Sequence, residues 1–277
     1  MEIHKKLARP LIWAVSGKKV QGNDAIPILR GPLKGRLLPK QPAMNQLSML
    51  FGRYEPAVMS EITRLLETTK VVYDVGANVG YMTLALAHRI KSSGRVFAFE
   101  PVPGNIDFLR QMCLLNGLHK RVAVLPLALG DKVGEQELVM WGTSAMHLLE
   151  PAMNGQDASS CPSIIVEVST LDSFVFELNN PPPHLIKIDV EGAETLVLKG
   201  SIHTLATYSP SIIVEIHGPS NAQGSWDTLD GLSYNWLKLT EKGREAVVTK
   251  ERLLSYFTKD SWTHHFVLTR NQKDHEA

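Results

Sequence analysis

The chain has 277 residues, of which 44% are hydrophobic and 21% are charged. This composition is ordinary for a folded protein and excludes a disordered chain, a collagen-like repeat and a coiled coil. The 29 lysines and arginines stand against 28 acidic residues, which gives a net charge of +1. No global electrostatic field therefore favours nucleic acid or an anionic membrane as a partner.

Cysteine usage and hydropathy bear on the compartment. The two cysteines, Cys113 and Cys161, do not form a CxxC pair. This argues against a zinc framework or a disulfide scaffold and favours a reducing, cytoplasmic location. No segment approaches the ~18 uninterrupted apolar residues that a membrane-spanning helix needs, and the apolar run 10–15 is too short for a secretory signal. We therefore expect a cytoplasmic protein without a membrane span.

The first part of the chain is predicted to be an extension of the main domain. Glycine and proline interrupt its short apolar pairs at Gly31, Gly35 and Pro39, a pattern typical of a small hairpin or a strap. We therefore divide the chain into an N-terminal extension over residues 1–50, a candidate cover for a substrate, and one α/β domain over residues 51–277.

Strand-like and helical segments alternate along the rest of the chain. The predicted strands cover residues 71–75, 95–99, 122–129, 135–141, 163–169, 185–190, 212–216, 236–239 and 265–269. The predicted helices cover residues 55–68, 80–90, 105–116, 171–178, 193–207 and 250–257. Such alternation is typical of βαβ units and predicts an α/β fold with a doubly wound, parallel sheet. Ligands bind such sheets beyond the carboxyl ends of the strands, which here carry Asp74, Glu100, Asp189 and Glu215.

A glycine-containing turn, Asp74-Val-Gly-Ala-Asn-Val-Gly80, follows the first of these predicted strands. Gly76 permits a sharp turn and the close approach of a ligand, and Gly80 permits close packing of the helix on the strand. Asn78 offers amide hydrogen bonds. The motif is not GxGxxG, because Asp74 lies two residues before Gly76 and would repel the phosphates of a dinucleotide. The turn instead suits a cation or an ammonium group.

A second acid follows the next predicted strand. Glu100 comes 24 residues after Gly76, and a carboxylate at this place can accept hydrogen bonds from both ribose hydroxyls of an adenosine. The two acids with the glycine turn, and no phosphate-binding feature, fit S-adenosylmethionine. Asp74 would bind its amino-acid end and Glu100 its ribose. The alternative is a structural turn with a solvated acid.

Several motifs together resemble the FkbM-type methyltransferases. The first three are Asp74-Val-Gly-Ala-Asn-Val-Gly80, Phe99-Glu-Pro-Val-Pro103 followed by Asn105, and Leu127-Ala-Leu-Gly130. The others are Thr170-Leu-Asp-Ser173, Ile186-Lys-Ile-Asp-Val-Glu-Gly-Ala-Glu194 with Leu198-Lys-Gly200, and Ile213-Val-Glu-Ile-His217. The Lys-Ile-Asp-Val-Glu-Gly stretch is the most distinctive of them.

The resemblance implies a doubly wound, Rossmann-like class I methyltransferase sheet, mostly parallel with an antiparallel last strand, here with an N-terminal extension and an extra β-hairpin. It also implies S-adenosylmethionine as the donor and, in most members, methyl transfer to a hydroxyl. Members act on sugars, glycolipids and polyketide-type natural products, so the expected acceptor is a small hydroxylated molecule of this kind. The candidate cofactor-binding residues are Asp74, Gly76, Asn78, Gly80, Glu100, Pro101, Asn105, Ala128 and Asp189.

Polar side chains are predicted to converge beyond two neighbouring strands. Asp189 and Glu191 stand two apart, so an extended strand points both to one face, with Lys187 behind them. Glu215 and His217 repeat this arrangement on the next strand. Methyl transfer requires alignment of the acceptor oxygen and help with the loss of its proton. These three acids and one imidazole are the candidate catalytic residues, with Asp189 or His217 as the proton acceptor.

Other interpretations of this cluster stay open. Lys187 in a buried strand needs a counter-charge, which Asp189 or Glu215 would supply in a purely structural role. Glu191 would then only begin the next helix, where an acid suits the helix dipole. A divalent metal ion that acidifies the acceptor hydroxyl is the rival account, with Asp189, Glu215 and His217 as ligands. No spacing here is diagnostic of a metal, and the direct-base interpretation is preferred.

The sequence thus predicts an S-adenosylmethionine-dependent O-methyltransferase. One alternative is an NAD-dependent oxidoreductase on a similar sheet, against which the missing GxGxxG motif argues. The other is an RNA-binding methyltransferase. The near-neutral charge argues against a nucleic-acid partner, as does Asp189-Val-Glu-Gly where a base-amine methyltransferase has Asn-Pro-Pro-Tyr or Asp-Pro-Pro-Tyr.

Overall fold

An eight-stranded sheet organises the protein in the computed structural model, which describes residues 25–141, 146–148 and 161–270. The strands are β1 (Ala25–Pro27), β2 (Leu37–Pro39), β3 (Val71–Val75), β4 (Arg95–Phe99), β5 (Val122–Leu125), β6 (Ala128–Leu129), β7 (Gly134–Trp141), β8 (Met146–Leu148), β9 (Ser163–Ser169), β10 (Leu185–Ile188), β11 (Ser211–His217), β12 (Asn235–Thr240), β13 (Gly243–Val247) and β14 (Thr263–Thr269).

The helices are α1 (Lys40–Asn45), α2 (Leu47–Leu50), α3 (Pro56–Leu65), α4 (Tyr81–Arg89), α5 (Pro103–Leu115), α6 (Glu194–Lys199), α7 (Ile202–Tyr208), α8 (Gly218–Leu229) and α9 (Lys250–Leu254). A π-helical turn, Ser173–Glu177, follows β9, and the N–H of Ser173 donates to the hydroxyl of Thr170 at 2.9 Å. In the described ranges, no helix has the length and apolar character needed to cross a membrane.

The strand order of the large sheet is β13-β12-β14-β11-β10-β3-β4-β5. The five strands from β11 to β5 are parallel, whereas β14 is antiparallel to both of its neighbours. The order reverses between β3 and β10, because β4 and β5 lie on one side of β3 and the later strands on the other. The predicted doubly wound, mostly parallel sheet with an antiparallel last strand is therefore confirmed. Its ligand crevice is expected at this reversal.

Alternating side chains of the central strands enter two hydrophobic cores, one on each face of the sheet. Val72 of β3 packs in the first core and Tyr73 in the second. Leu185 and Ile186 of β10 divide in the same way. Because a strand has a side-chain period of two and both faces are covered, these strands are almost continuously apolar. A charged residue within them therefore requires a specific partner.

The described part of the predicted extension contains a hairpin that packs on the first core. β1 pairs with β2 in antiparallel register, and Ile26 and Leu38 are buried in that core. The N–H of Leu37 donates to Asn116 Oδ1 at 3.0 Å, and Asn116 Nδ2 donates to the carbonyl of Leu37 at 2.8 Å. These bonds attach the hairpin to the end of α5. Residues 1–24 lie outside the described residues, and the covering of a substrate by the extension stays a prediction.

A second, four-stranded sheet in the order β6-β9-β7-β8 contains the predicted extra hairpin. β7 pairs with β9 in antiparallel register from Gly134↔Val168 to Val139↔Ser163, and β8 pairs with the other edge of β7. β6 pairs with β9 in parallel register. β6 directly follows β5, the parallel strand at the edge of the large sheet. The second sheet therefore lies beyond the carboxyl ends of the parallel strands.

Two predicted elements are divided in the structure. The predicted strand 122–129 becomes β5 and β6, separated at Pro126, which has no N–H to continue a ladder. The predicted helix 193–207 becomes α6 and α7, separated at Gly200. A Cβ atom at this position would lie 1.9 Å from the carbonyl oxygen of Gly130, so the break lets two backbone segments meet.

Candidate functional site

A pocket opens beyond the carboxyl ends of the strands, where the strand order reverses. Eight of the predicted site residues are in its wall, namely Gly76, Asn78, Glu100, Pro101, Ala128, Asp189, Glu191 and Glu215. Side chains of β7 and β9 complete the wall, together with Tyr54 and Glu55 from the segment before α3. The predicted residues Asp74, Gly80, Asn105 and His217 are outside the described wall.

Three N–H groups fix the carboxylate of Glu100 at one end of the pocket. The backbone N–H of Asn78 donates to Oε2 at 2.8 Å, and that of Val102 donates to Oε1 at 3.0 Å. Asn105 Nδ2 donates to Oε1 at 3.2 Å, which gives Asn105 an indirect role at the site. Burial raises the pKa of Glu100, and the three donors oppose that rise. A carboxylate held in one orientation is suited to accept hydroxyl hydrogens.

Gly76 is required by a close contact with the neighbouring strand. Its φ is +79°, and its N–H donates to the carbonyl of Phe99 at 3.0 Å. A Cβ atom at this position would lie 1.8 Å from the carbonyl oxygen of Asp189. The absence of a side chain at Gly76 is predicted to let a ligand approach its backbone. In the structure, the backbone of Asp189 makes this close approach.

The Gly76→Ala variant is expected to lose about 2–4 kcal/mol of stability, because it combines overpacking with a left-handed backbone. Gly117→Ala is the matched control, since Gly117 has a φ of +67° but no atom within 4 Å of the added Cβ. We expect the control to lose only about 1 kcal/mol. Urea denaturation measures both, and equal losses would contradict the close contact at Gly76.

Asp74 and Gly80 lie outside the described pocket wall, so the structure does not support the direct cofactor contacts predicted for them. Asp74 is fully buried, and Thr83 donates to its Oδ2 at 2.5 Å. Burial raises the pKa of Asp74, and the charge of Lys187 opposes that rise. Gly80 permits close packing, but against Leu109 of α5 rather than against a strand.

Lys187 has Asp189 as its counter-charge. The Lys187 ammonium donates to Asp189 Oδ2 at 2.8 Å and lies 4.0 Å from Asp74 Oδ1. Burial lowers the pKa of Lys187, but the neighbouring carboxylates raise it by more. Burial likewise raises the pKa of Asp189, and the ammonium more than offsets this, so the pKa of Asp189 is below its usual value. Asp189 is therefore an ionised group of fixed orientation in the pocket wall.

The expected extended conformation of residues 189–191 is wrong. β10 ends at Ile188, and Glu191 has a left-handed φ of +51°. Lys187 consequently lies beside Asp189 rather than behind it. The turn carries the Glu191 carboxylate to His217, 3.1 Å from Nε2. The two acids thus contact different cations, although they are only two residues apart.

His217 lies between two carboxylates. Its Nε2 is 3.1 Å from Glu191 Oε2, and its Nδ1 is 2.9 Å from Oε1 of the fully buried Glu194. Burial lowers the pKa of His217, but the two carboxylates raise it to about 11. The side chain is therefore an imidazolium at neutral pH. Because an imidazolium has no free lone pair, the prediction of His217 as the proton acceptor does not fit the structure.

Replacement of His217 is expected to cost most at low pH. A folded-state pKa of about 11 lies above the ordinary 6.5, so the stabilisation is fully present below about pH 6.5 and is lost as the pH rises toward 11. His217→Gln should cost about 3–5 kcal/mol at pH 6, and less at pH 8 and pH 10. Denaturant titrations at the three pH values measure this. The exposed His119 supplies the control His119→Gln, and a pH-independent cost at His217 would refute the ion pair.

A second imidazole, that of His265, joins the site from β14. Its Nε2 lies 3.1 Å from Glu215 Oε2 and 3.5 Å from Glu55 Oε2. Burial lowers the pKa of His265, but the two carboxylates raise it to about 10. Burial raises the pKa of Glu215, and His265 opposes that rise. The contact between Glu55 and His265 has no signal in the sequence, because Glu55 has the pattern of an ordinary acid at a helix start.

Two groups of side chains place possible metal-ligating atoms within 4.8 Å of one another. The groups are Asp189, Glu191 and His217, and Glu55, Glu215 and His265. The set predicted as the metal alternative, Asp189, Glu215 and His217, is divided between the two groups. Either donor set of carboxylates and imidazole fits a divalent cation, but in both groups the imidazole already lies within ion-pair distance of the carboxylates.

The sequence of the chain matches a known protein family. Residues 74–247 match the methyltransferase FkbM domain. The chain belongs to the FkbM methyltransferase family. The predicted resemblance is thereby confirmed.

Two curated relatives of this FkbM-family chain are methyltransferases. The hexuronic acid methyltransferase AglP of Haloferax volcanii is 33% identical over 165 residues, which are 57% of this chain and 62% of the relative. The methyltransferase sdnD of Sordaria araneosa is 25% identical over 189 residues, which are 59% of this chain and 73% of the relative. A crystal structure of a methyltransferase FkbM from Methylobacillus flagellatus is 16% identical, with a TM-score of 0.44 over 83% of this chain and 56% of that chain.

The segment that matches the FkbM domain does not include the whole site. Glu100, Asp189 and Glu215 lie within residues 74–247. Tyr54 and Glu55 precede this segment and His265 follows it. These three residues of the site therefore come from outside the segment that matches the FkbM domain.

Proposed function

We propose that this FkbM-family methyltransferase uses S-adenosylmethionine to methylate a hydroxyl of a sugar, a glycoconjugate or a polyketide-type natural product. The family supports S-adenosylmethionine as the donor. The relative AglP, named for hexuronic acid, supports a sugar-like acceptor. Membership of a methyltransferase family removes the oxidoreductase alternative.

One observation carries the proposal. A single pocket is lined by the buried carboxylate of Glu100 and by four further acidic side chains, Glu55, Asp189, Glu191 and Glu215. Glu100 would accept the ribose hydroxyls, with the turn from Gly76 to Asn78 beside the cofactor and Pro101 and Ala128 along the adenosine. Asp74 acts from behind this wall by holding Lys187. The acceptor end of the pocket is formed by Tyr54, Glu55, Asp189, Glu191 and Glu215.

The protein's contribution to methyl transfer is alignment and proton removal. S-adenosylmethionine supplies a methyl group already activated on a sulfonium. Asp189, held by Lys187, positions the acceptor hydroxyl, since its low pKa keeps it ionised, so that it accepts a hydrogen bond but is a weak base. Glu215 takes the hydroxyl proton, because burial raises its pKa toward the range that favours general base catalysis. Asp189 and Glu215 would together align the acceptor oxygen with the methyl group of the bound donor and take up the proton that the oxygen loses.

The proposal is tested by the donor and the product. We expect S-adenosylhomocysteine to raise the melting temperature and NAD to leave it unchanged, because only a bound ligand stabilises the fold by mass action. With donor labelled by deuterium in the methyl group, mass spectrometry should show a methyl ether in a hydroxylated acceptor. Stabilisation by NAD, or label in an amine or in RNA, would contradict the proposal.

A further inference from the structure

Three cations at the acceptor end each have at least two carboxylates within 4.0 Å. Lys187 lies within this distance of Asp74 and Asp189, His217 of Glu191, Glu194 and Glu215, and His265 of Glu55 and Glu215. All three cations are thus paired with the chain's own carboxylates.

The arrangement leaves the acceptor end negatively charged. Six carboxylates face three cations, so the formal charge is −3 even with both histidines protonated. Among the described residues of the pocket wall, Glu55, Glu100, Asp189, Glu191 and Glu215 are acidic, and none is Lys, Arg or His. The described wall therefore offers many hydrogen-bond acceptors and no charged donor.

From this charge distribution we infer that the acceptor has no carboxylate or phosphate near the methylated hydroxyl, and is a neutral polyhydroxyl compound or an amino sugar. The inference rests on the proposed function and specifies its substrate class. Ionised carboxylates only accept hydrogen bonds, so they bind hydroxyl and ammonium groups. An anionic acceptor would bring like charges together without a compensating donor. The preference is therefore opposite to that named for the relative AglP, a hexuronic acid methyltransferase.

Glu55 is the residue of this group through which acceptor charge is selected. It lies in the pocket wall, outside the segment that matches the FkbM domain. Its backbone has a left-handed φ of +41° directly before Pro56, a conformation that is disfavoured for a residue of this type. Its Oε2 lies 3.5 Å from His265. The chain therefore holds a carboxylate here at a conformational cost.

The experiment uses the full-length protein, deuterium-labelled donor and a polar metabolite extract divided by ion exchange into anionic, neutral and cationic pools. We expect labelled products in the neutral or cationic pool, at least tenfold above the anionic pool. Label mainly in the anionic pool would overturn the inference while leaving the proposed function standing. Anionic products that form only with Mg²⁺ and disappear with EDTA would also overturn it, because the carboxylates would then be metal ligands. No labelled product in any pool would overturn the proposed function and this inference with it.

A charge reversal provides the second measurement. Glu55→Lys should shift the ratio of anionic to neutral products at least tenfold toward the anionic pool, and Glu55→Gln should shift it in the same direction by less. Glu67→Lys is the matched control, since Glu67 is an exposed acid just beyond the end of α3, and it should leave the ratio unchanged. Glu55→Gln keeps the test valid where the lysine variant does not fold. An unchanged ratio in the folded Glu55 variants would overturn the role of Glu55.

Discussion

The Glu215→Gln variant is expected to transfer methyl groups about 10²–10⁴-fold more slowly than the wild type and to bind the cofactor with unchanged affinity. The amide keeps the shape of the side chain but cannot take up the acceptor proton. Burial and the nearby Asp189 raise the pKa of Glu215, with His265 opposing. The methylation rate of the wild type should fall as the pH is lowered. We expect the midpoint of this fall at a pH above the ordinary pKa of a glutamate, 4.5. Single-turnover kinetics across pH measures both effects.

Glu167→Gln is the matched control for this variant, because Glu167 is an exposed glutamate of β9. The Glu167→Gln variant should methylate the acceptor at the rate of the wild type. Near-normal turnover of Glu215→Gln would mean that the acids only neutralise Lys187, His217 and His265, and that alignment alone accelerates the reaction. Assays with and without EDTA complete the comparison. Loss of activity with EDTA and its return with Mg²⁺ would replace the direct base by a metal ion.

The Glu100→Gln variant is expected to weaken binding of S-adenosylmethionine by about 1.5–3 kcal/mol, or roughly 10–150-fold. The variant loses the charge that strengthens hydrogen bonds to ribose hydroxyls. It also cannot satisfy all three donors at once. If its carbonyl oxygen accepts from Val102 and Asn105, its amide group faces the N–H of Asn78, which then has no acceptor. The variant should therefore lose a contact with the ribose and also the fixed orientation of the side chain at position 100.

Calorimetric titration with S-adenosylhomocysteine measures this loss, and Glu167→Gln again serves as the control. Far-UV circular dichroism shows whether the variant keeps its secondary structure. Unchanged affinity in a folded Glu100→Gln variant would disprove the ribose assignment.

Local signals were sufficient to predict the central sheet. The apolar runs at Val71–Val75 and Arg95–Phe99 are bounded by turn residues, and both are strands with the predicted limits. The acids at their ends then fall at one edge, because all parallel strands that are joined by helices present their carboxyl ends together. This argument needs no contact between distant residues, which is why Glu100, Asp189 and Glu215 could be placed from the sequence.

The contacts that assign roles within the site depend on tertiary structure. Glu55 meets His265 across more than two hundred positions of sequence, and neither has a local signal that distinguishes it from a surface residue. The turn at Glu191 depends on its left-handed backbone, which a period-two pattern does not reveal. Helix α8 is missed because apolar residues in GPSNAQGSWDTL do not recur at helical spacing. Strand β13, GREAV, is a charged edge strand without a clear strand pattern.

Helix α5 connects two distant features of the molecule. Val102, directly before it, donates its N–H to Glu100, whereas Asn116, directly after it, holds the backbone of Leu37 in the N-terminal hairpin. The helix has 13 residues, so it bridges roughly 20 Å as a stiff rod. A shift of this rod along its axis would move both ends together. Such a shift would change the hydrogen bond from Val102 to Glu100 and the bonds between Asn116 and Leu37 at the same time.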